Sequence, residues 1–243
     1  MPTLQLGEIV VDVVLKDIKN IHLSVHPPLG KVRIAAPLRM DLDTIRVFAI
    51  TKLAWIKSQQ KKLREQERET PREYLDRESH YVWGKRYLLK LVEKEAAPTV
   101  ELKHNHLILQ LRPAASHEKK QEVLAAWYRE QLKAAVPALI AEWEKIIGVK
   151  SEKVFVQKMK TKWGSCNLGA KNIRLNTDLA KKPFQCLEYI VAHELTHLLE
   201  RHHNELFVAL MDERMPRWRQ YREMLNSLPL AHHEWGIDGE SQT

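Results

Sequence analysis

Two histidines four residues apart, with a glutamate after the first, form the run His193-Glu194-Leu195-Thr196-His197. Apolar Leu187, Ile190, Val191, Leu195 and Leu198 recur at helical spacing through Cys186 to Leu199, so the run is predicted to lie on an amphipathic helix. On a helix, residues i and i+4 share one face, which brings the two imidazoles close enough to share an ion and leaves Glu194 beside them. Zinc suits that arrangement, because neutral imidazole binds it at about 2.0–2.1 Å and a catalytic site keeps its fourth position for water. The metal lowers the pKa of that water to about 7, so Glu194 is the candidate general base that takes its proton and passes it to a leaving amine.

Such a site needs a third ligand, and His203 is the leading candidate. In one unbroken helix it would lie about 15 Å along the axis from His193, so the chain must turn back before it. Asn204 supports the turn as the N-cap of a second helix that begins at Glu205 and carries Phe207, Leu210 and Met211. His202 and Glu205 are rival third ligands, and Cys166 is a more remote one. An electrophile for the developing oxyanion is also expected, and Tyr189, His202, Arg217 and Tyr221 are all within reach.

Further motifs stand upstream in a fixed order: Lys160-Thr161-Lys162-Trp163-Gly164-Ser165-Cys166, then Ile173-Arg174-Leu175-Asn176, Leu179 and Pro183. With His193 to His197, His203 and Phe207, this series resembles the YgjP-like metallopeptidases, relatives of the SprT-like zincins, from the early strands to about Leu228. The resemblance implies zinc held by His193, His197 and His203, with Glu194 as the catalytic base. Three positions depart from the family pattern: His202 and Asn204, since His202-His203-Asn204 replaces Asn-His-Ser and keeps a capping residue, and Val208, which stands where tryptophan is common. The Trp163 to Cys166 element has two readings. It is either the sheet edge on which a substrate strand is laid, with Gly164 allowing close backbone approach, or a packed turn with Trp163 in the core.

Other elements must position these groups. Period-two alternation predicts strands over Ile9 to Leu15, Ile21 to His26 and Val32 to Ala36, forming a small antiparallel sheet. A long helix capped by Asp41 or Asp43 follows, with Ile45, Phe48, Ala49, Leu53 and Ile56 on its apolar side. It runs into a charged stretch from Lys57 to Arg72, a solvated extension or linker. Strands are predicted at Tyr81 to Val92, Thr99 to Lys103 and Leu107 to Leu111, then a helix from His117 to Ile147 that Pro137 should kink or split. Val154 to Met159 and Ile173 to Asn176 read as two more strands, and helices continue to Leu228. No internal repeat is visible. The expected class is α+β: residues 1–113 form an amino-terminal β-rich region with one long helix, 114–230 a mostly helical zincin-like catalytic region, and 231–243 a tail.

The totals narrow the function classes. The 243 residues, 44% hydrophobic and 29% charged, describe a folded chain rather than a disordered one. Cys166 and Cys186 are too few for a disulfide scaffold and are expected to be reduced thiols. Met1 to Lys16 lacks a signal-peptide layout and no apolar stretch approaches the roughly 18 residues that span a bilayer, so a cytoplasmic location without membrane partners is expected. The formal charge of +8 is compatible with a nucleic-acid partner, and Lys158, Lys160, Lys162, Lys171, Arg174, Lys181 and Lys182 cluster near the motif. The leading reading is a zinc hydrolase acting on peptides or proteins. The alternatives are a protease associated with nucleic acid and a metal-dependent nucleoside triphosphate pyrophosphohydrolase, the latter without a phosphate-cradling loop or a dense carboxylate cluster.

Overall fold

A tight turn at Gly7, whose φ is +63°, joins strand β1 (Thr3–Leu6) to β2 (Ile9–Lys16); β3 (His22–His26) and β4 (Lys31–Pro37) follow. The structure is a computed structural model that describes residues 2–26, 30–65, 72–159 and 162–228. The four strands form one sheet in the order β1-β2-β4-β3. Its central pair, β2 with β4, is parallel, where an antiparallel sheet was expected. Alternation reports which face of a strand is buried, not its direction. Here the second hairpin inserts its return strand beside β2. Val11, Val13, Val32 and Ile34 on that pair meet Ile45, Ala49 and Ile56 of the following helices in a buried core.

The single helix expected after Asp41 is two, α1 (Leu42–Thr51) and α2 (Leu53–Glu65). Asp41 is the cap, its carboxylate accepting from the Thr44 backbone at 2.7 Å, and the break falls at Lys52. The charged stretch read as an extension lies partly in α2, and residues 66–71 of it fall outside the described residues.

A second unit, separate from the first, begins with β5 (Ser79–Val82), β6 (Lys85–Glu93), β7 (Thr99–Lys103) and β8 (His106–Leu111). The segment read as one strand from Tyr81 to Val92 is a hairpin turned at Trp83-Gly84, both at positive φ. The sheet order is β5-β6-β8-β7, with β6 and β8 parallel between two antiparallel pairs. No sequence period marks it, yet this is the topology of the first sheet repeated strand for strand.

Helix α3 (His117–Ile147) runs unbroken through Pro137, capped at its start by Ser116 and closed by Gly148 at φ +79°. It packs its Leu132, Val136, Leu139 and Trp143 into the core that surrounds the histidine motif. The β5–β8 sheet, grouped by sequence with the amino-terminal region, lies in the same unit as that core; its Val82 is part of it. Strands β9 (Lys153–Gln157), β10 (Gly164–Asn167) and β11 (Asn172–Asn176) form a third sheet, ordered β10-β11-β9, with β10 an edge strand antiparallel to β11. A short 3-10 turn at Thr177–Lys181 leads to α4 (Phe184–Thr196), α5 (Glu205–Arg214) and α6 (Trp218–Ser227). The α+β class holds. Among the described residues no helix is long and apolar enough to cross a membrane.

The β5–β6 hairpin sets where α4 starts. Trp83 and Gly84 donate their backbone N–H groups to the Ala180 and Lys181 carbonyls at 2.8 and 3.3 Å. A Cβ on Gly84 would stand 2.8–3.0 Å from Pro183, the residue before α4, so only glycine admits this contact.

Candidate metal centre

Helix α4 is buried on almost every side: Leu187, Val191 and Leu195 are wholly inaccessible, and Pro183 occupies its N-cap position. The helix therefore has little freedom, and it holds His193 and Glu194 in its last turn with His197 just past its end. Thr196 donates its hydroxyl to the Ala192 carbonyl at 2.8 Å and touches Met211 Sδ of α5 at 3.3 Å, tying the two helices together below the motif.

The chain turns back after His197, as the position of His203 requires. Asn204 caps α5, its side-chain oxygen accepting from the Phe207 N–H at 3.0 Å. One imidazole nitrogen from each of His193, His197 and His203 then lies within 4.8 Å of the others. Among the described residues His202, Glu205 and Cys166 do not join this group. The buried Phe207 ring stands 4.8–5.0 Å from all three imidazoles, centroid to centroid, and forms an apolar floor.

His193 Nε2 and His203 Nε2 approach to 3.0 Å, while His193 Nδ1 is buried with no hydrogen-bond partner among the described residues. A cation shared by the Nε2 atoms would use their lone pairs, so the donor set fits a metal. His197 Nδ1 lies 3.0 Å from the Glu200 carbonyl and can donate to it, which orients its other nitrogen toward the group. Glu200 in turn accepts from the His202 backbone N–H at 2.9 Å, closing the turn. Burial first, and then His197, His203 and Arg222, push the His193 pKa down to about 3, so the ring is neutral at pH 7. Burial likewise lowers His203, with His197, Arg222 and His202 adding to it.

Glu194 is 6% exposed, and burial raises its carboxyl to about 7, opposed by the Lys162 ammonium. Above it runs β10. A Cβ placed on Gly164 would stand 2.7 Å from Glu194 Oε1, 2.8 Å from Glu194 Cγ and 2.8 Å from Ile190 Cγ2. Gly164 is thus the contact surface for the carboxylate. Asn176 secures the approach to β10 by donating its amide to the carbonyls of Met159 and Lys162 at 2.9 and 2.8 Å. Of the two readings of Trp163 to Cys166, the edge strand is present from Gly164 onward, with Trp163 half-buried against the core at its start. Cys166 is half-buried, and burial, then the Glu194 carboxylate, push its thiol up to about 11; neither cysteine is in a disulfide.

The raised Glu194 pKa has a sign that can be checked. In the metal-free chain the folded state holds a proton that the unfolded state releases near pH 4.5, so ionising Glu194 removes stability as pH rises from about 4.5 to about 7. His193, with its lowered value, acts in the opposite direction between about 3 and 6.5. Comparing urea unfolding of the metal-free chain with Glu194→Gln cancels the histidine contribution. From pH 5 to pH 8 the difference is expected to move by about 2–3 kcal/mol in favour of the variant. A difference that does not change with pH would mean that Glu194 titrates like an exposed carboxyl.

Among the candidate electrophiles, Tyr189 is buried, with its ring 5.7 Å from His193 edge-on and stacked at 6.3 Å on Trp218. Arg217 is instead the exposed N-cap residue of α6. Sequence reasoning missed Arg222, whose guanidinium lies 6.0 Å from the Trp218 ring and whose charge bears on His193, His203 and Tyr189. The signal was present: Trp218, Arg222 and Leu225 share one helical face, and Trp218 and Leu225 are buried. Of the cations grouped near the motif, Lys181 is paired with Asp178 at 2.6 Å, Lys182 is buried with its ammonium 5.8 Å from the Trp163 ring, and Arg174 lies over Phe155. Lys160 falls outside the described residues.

The model of the YgjP-like metallopeptidase domain matches residues 19–228. The chain belongs to the YgjP-like family. Membership makes it a metallopeptidase-type hydrolase, which implies a metal and a peptide or protein substrate. Similar solved structures include the metallopeptidase zymogens abylysin of Pyrococcus abyssi and jannalysin of Methanocaldococcus jannaschii, 19% and 20% identical to this YgjP-like chain. Each match covers 36% of this chain, with 89% and 90% of the respective zymogen and a TM-score of 0.34. No curated protein matches by sequence.

Proposed function

We propose that this YgjP-like chain is a zinc peptidase in which His193, His197 and His203 hold the metal and Glu194 is the general base. The observation that carries the reading is the convergence of three imidazole nitrogens within 4.8 Å of one another, next to a buried glutamate in the same helical turn. Three imidazole nitrogen donors, with a fourth position kept for water, are the donor set zinc prefers in catalytic sites. Bound there, zinc supplies a Lewis acid and an acidified water.

The chain's own residues do the rest. His193 is kept neutral by burial and offers a lone pair rather than a proton. The Glu200 carbonyl fixes the tautomer of His197. Glu194, its proton affinity raised by burial, takes a proton from the attacking water and delivers it to the departing amine, so the peptide C–N bond breaks and a carboxylic acid and an amine leave. The substrate lies extended along the edge of β10 that has no strand partner among the described residues, beside that carboxylate. Phe207 excludes water from beneath the ligands.

Elemental analysis of protein purified without chelator tests the assignment. Wild type is expected to retain about one zinc per chain. His193→Ala and His203→Ala, each still folded by circular dichroism, are expected to retain at least about tenfold less. Wild type that neither carries zinc nor takes it up would reject the metal assignment.

A further inference from the structure

The β10-β11-β9 sheet has a second edge. Among the described residues β9 pairs only with β11, in parallel, so alternate residues along it direct their N–H and C=O groups away from the sheet. Between that edge and α3 lies a cavity of about 360 Å³, bordered by Val154 to Gln157 on one side and by the stripe Arg129, Lys133, Pro137 on the other. Its floor is apolar, formed by the buried Val136, Ile140 and Val156.

The rim is basic, and among the described residues no carboxylate lines the cavity. Lys133 is exposed and shared with Glu130 at 2.8 Å, whereas Arg129 has no ion pair among the described residues. Lys153 begins the strand and Lys158 follows it. Pro137 has no N–H, so the Lys133 carbonyl loses its usual helical donor on the side of α3 that borders the cavity. A strand edge, an apolar trough and a basic rim, of which Arg129 has no ion pair among the described residues, therefore meet at one place.

We propose that this edge binds an extended acidic segment of a partner protein as a strand added to β9, with apolar side chains in the trough and carboxylates against Arg129 and Lys133. A peptide backbone matches the alternating donors and acceptors of the edge, which a phosphate backbone does not. The trough would bury alternate apolar residues of the same strand. The site is separate from the metal centre. β9 and β10 are opposite edges of a three-stranded sheet, roughly 10 Å apart, so a strand on β9 leaves β10 open.

Fluorescence anisotropy with a labelled peptide of alternating glutamate and valine tests this on the full chain carrying Glu194→Gln, which protects the probe from cleavage. Saturable binding is expected. It should weaken about tenfold or more when Arg129→Glu and Lys133→Glu are combined, or when alternate peptide nitrogens of the probe are methylated. Should the charge reversal prevent folding, Arg129→Ala with Lys133→Ala gives the same readout. No saturable binding, binding indifferent to both changes on α3, or binding indifferent to N-methylation would each overturn the proposal. So would a single-stranded DNA of equal charge that binds more tightly than the peptide. A probe held instead at the β10 edge would be unmoved by the α3 variants and counts against it in the same way.

Discussion

Replacing Glu194 with glutamine is expected to slow hydrolysis of a peptide that the wild type cleaves by about 10³-fold or more while leaving the bound zinc in place. Glutamine keeps the length and the hydrogen-bonding shape of the side chain, so the close packing against Gly164 survives. What disappears is the capacity to hold a proton between its removal from water and its delivery to the amine. General acid–base participation is ordinarily worth 10²–10⁴-fold, and this one residue is asked to serve both steps. The loss should fall on kcat more than on KM, because Glu194 is buried beneath β10 rather than exposed along it. A variant that retained both zinc and full activity would remove Glu194 from the reaction and return the mechanism to an unidentified base.

The same substitution separates two origins of pH dependence. The value near 7 belongs to the metal-free carboxyl, with Lys162 already opposing the effect of burial, and a metal at the three histidines would favour the ionised form and lower it further. The acid limb of the activity profile is therefore expected below the pH at which the metal-free chain shows its stability change. On the proposed mechanism burial prepares a base whose proton affinity is set high, and a bound metal would bring it into the working range.

Much of this centre was legible from residue types and spacing. The apolar stripe from Leu187 to Leu198 identifies the helix, the four-residue step pairs His193 with His197, and Asn204 marks the turn that brings His203 back. These are local signals, carried by helical periodicity and by a capping preference. What stayed hidden depends on contacts distant in the chain. The parallel pairing of β2 with β4 and of β6 with β8 cannot be read from alternation, which is blind to strand direction. The break at Lys52 falls within an apolar pattern that continues across it. The repeated topology of the two four-stranded sheets is likewise a matter of pairing, and different residues fill the same positions. Phe207 could be placed on a helix but not beneath all three imidazoles, since that depends on how α5 packs against α4.

Gly164→Ala is expected to reduce activity about 10²-fold with zinc retained, although the residue bears no functional group. The added methyl would stand 2.7 Å from Glu194 Oε1 and 2.8 Å from both Glu194 Cγ and Ile190 Cγ2, closer than real Cβ contacts. Neither neighbour can move far, because Ile190 and Glu194 are buried on a helix packed on almost every side. The strain must then go into β10, which among the described residues has a strand partner on one side only, or into the carboxylate's rotamer. Either response shifts the base relative to the substrate edge by a fraction of an ångström to an ångström, a displacement that can cost two orders of magnitude in rate. Overpacking of this size also costs about 1–3 kcal/mol of stability, read as a lower melting temperature. The two readouts together identify the cause. Lost stability with full activity would mean that the strand yields without disturbing Glu194, and Gly164 would then be a packing residue only. Lost activity with zinc retained, and with the pH profile of the remaining activity displaced, is the result expected if the bare backbone of Gly164 is what holds the carboxylate in its reactive position.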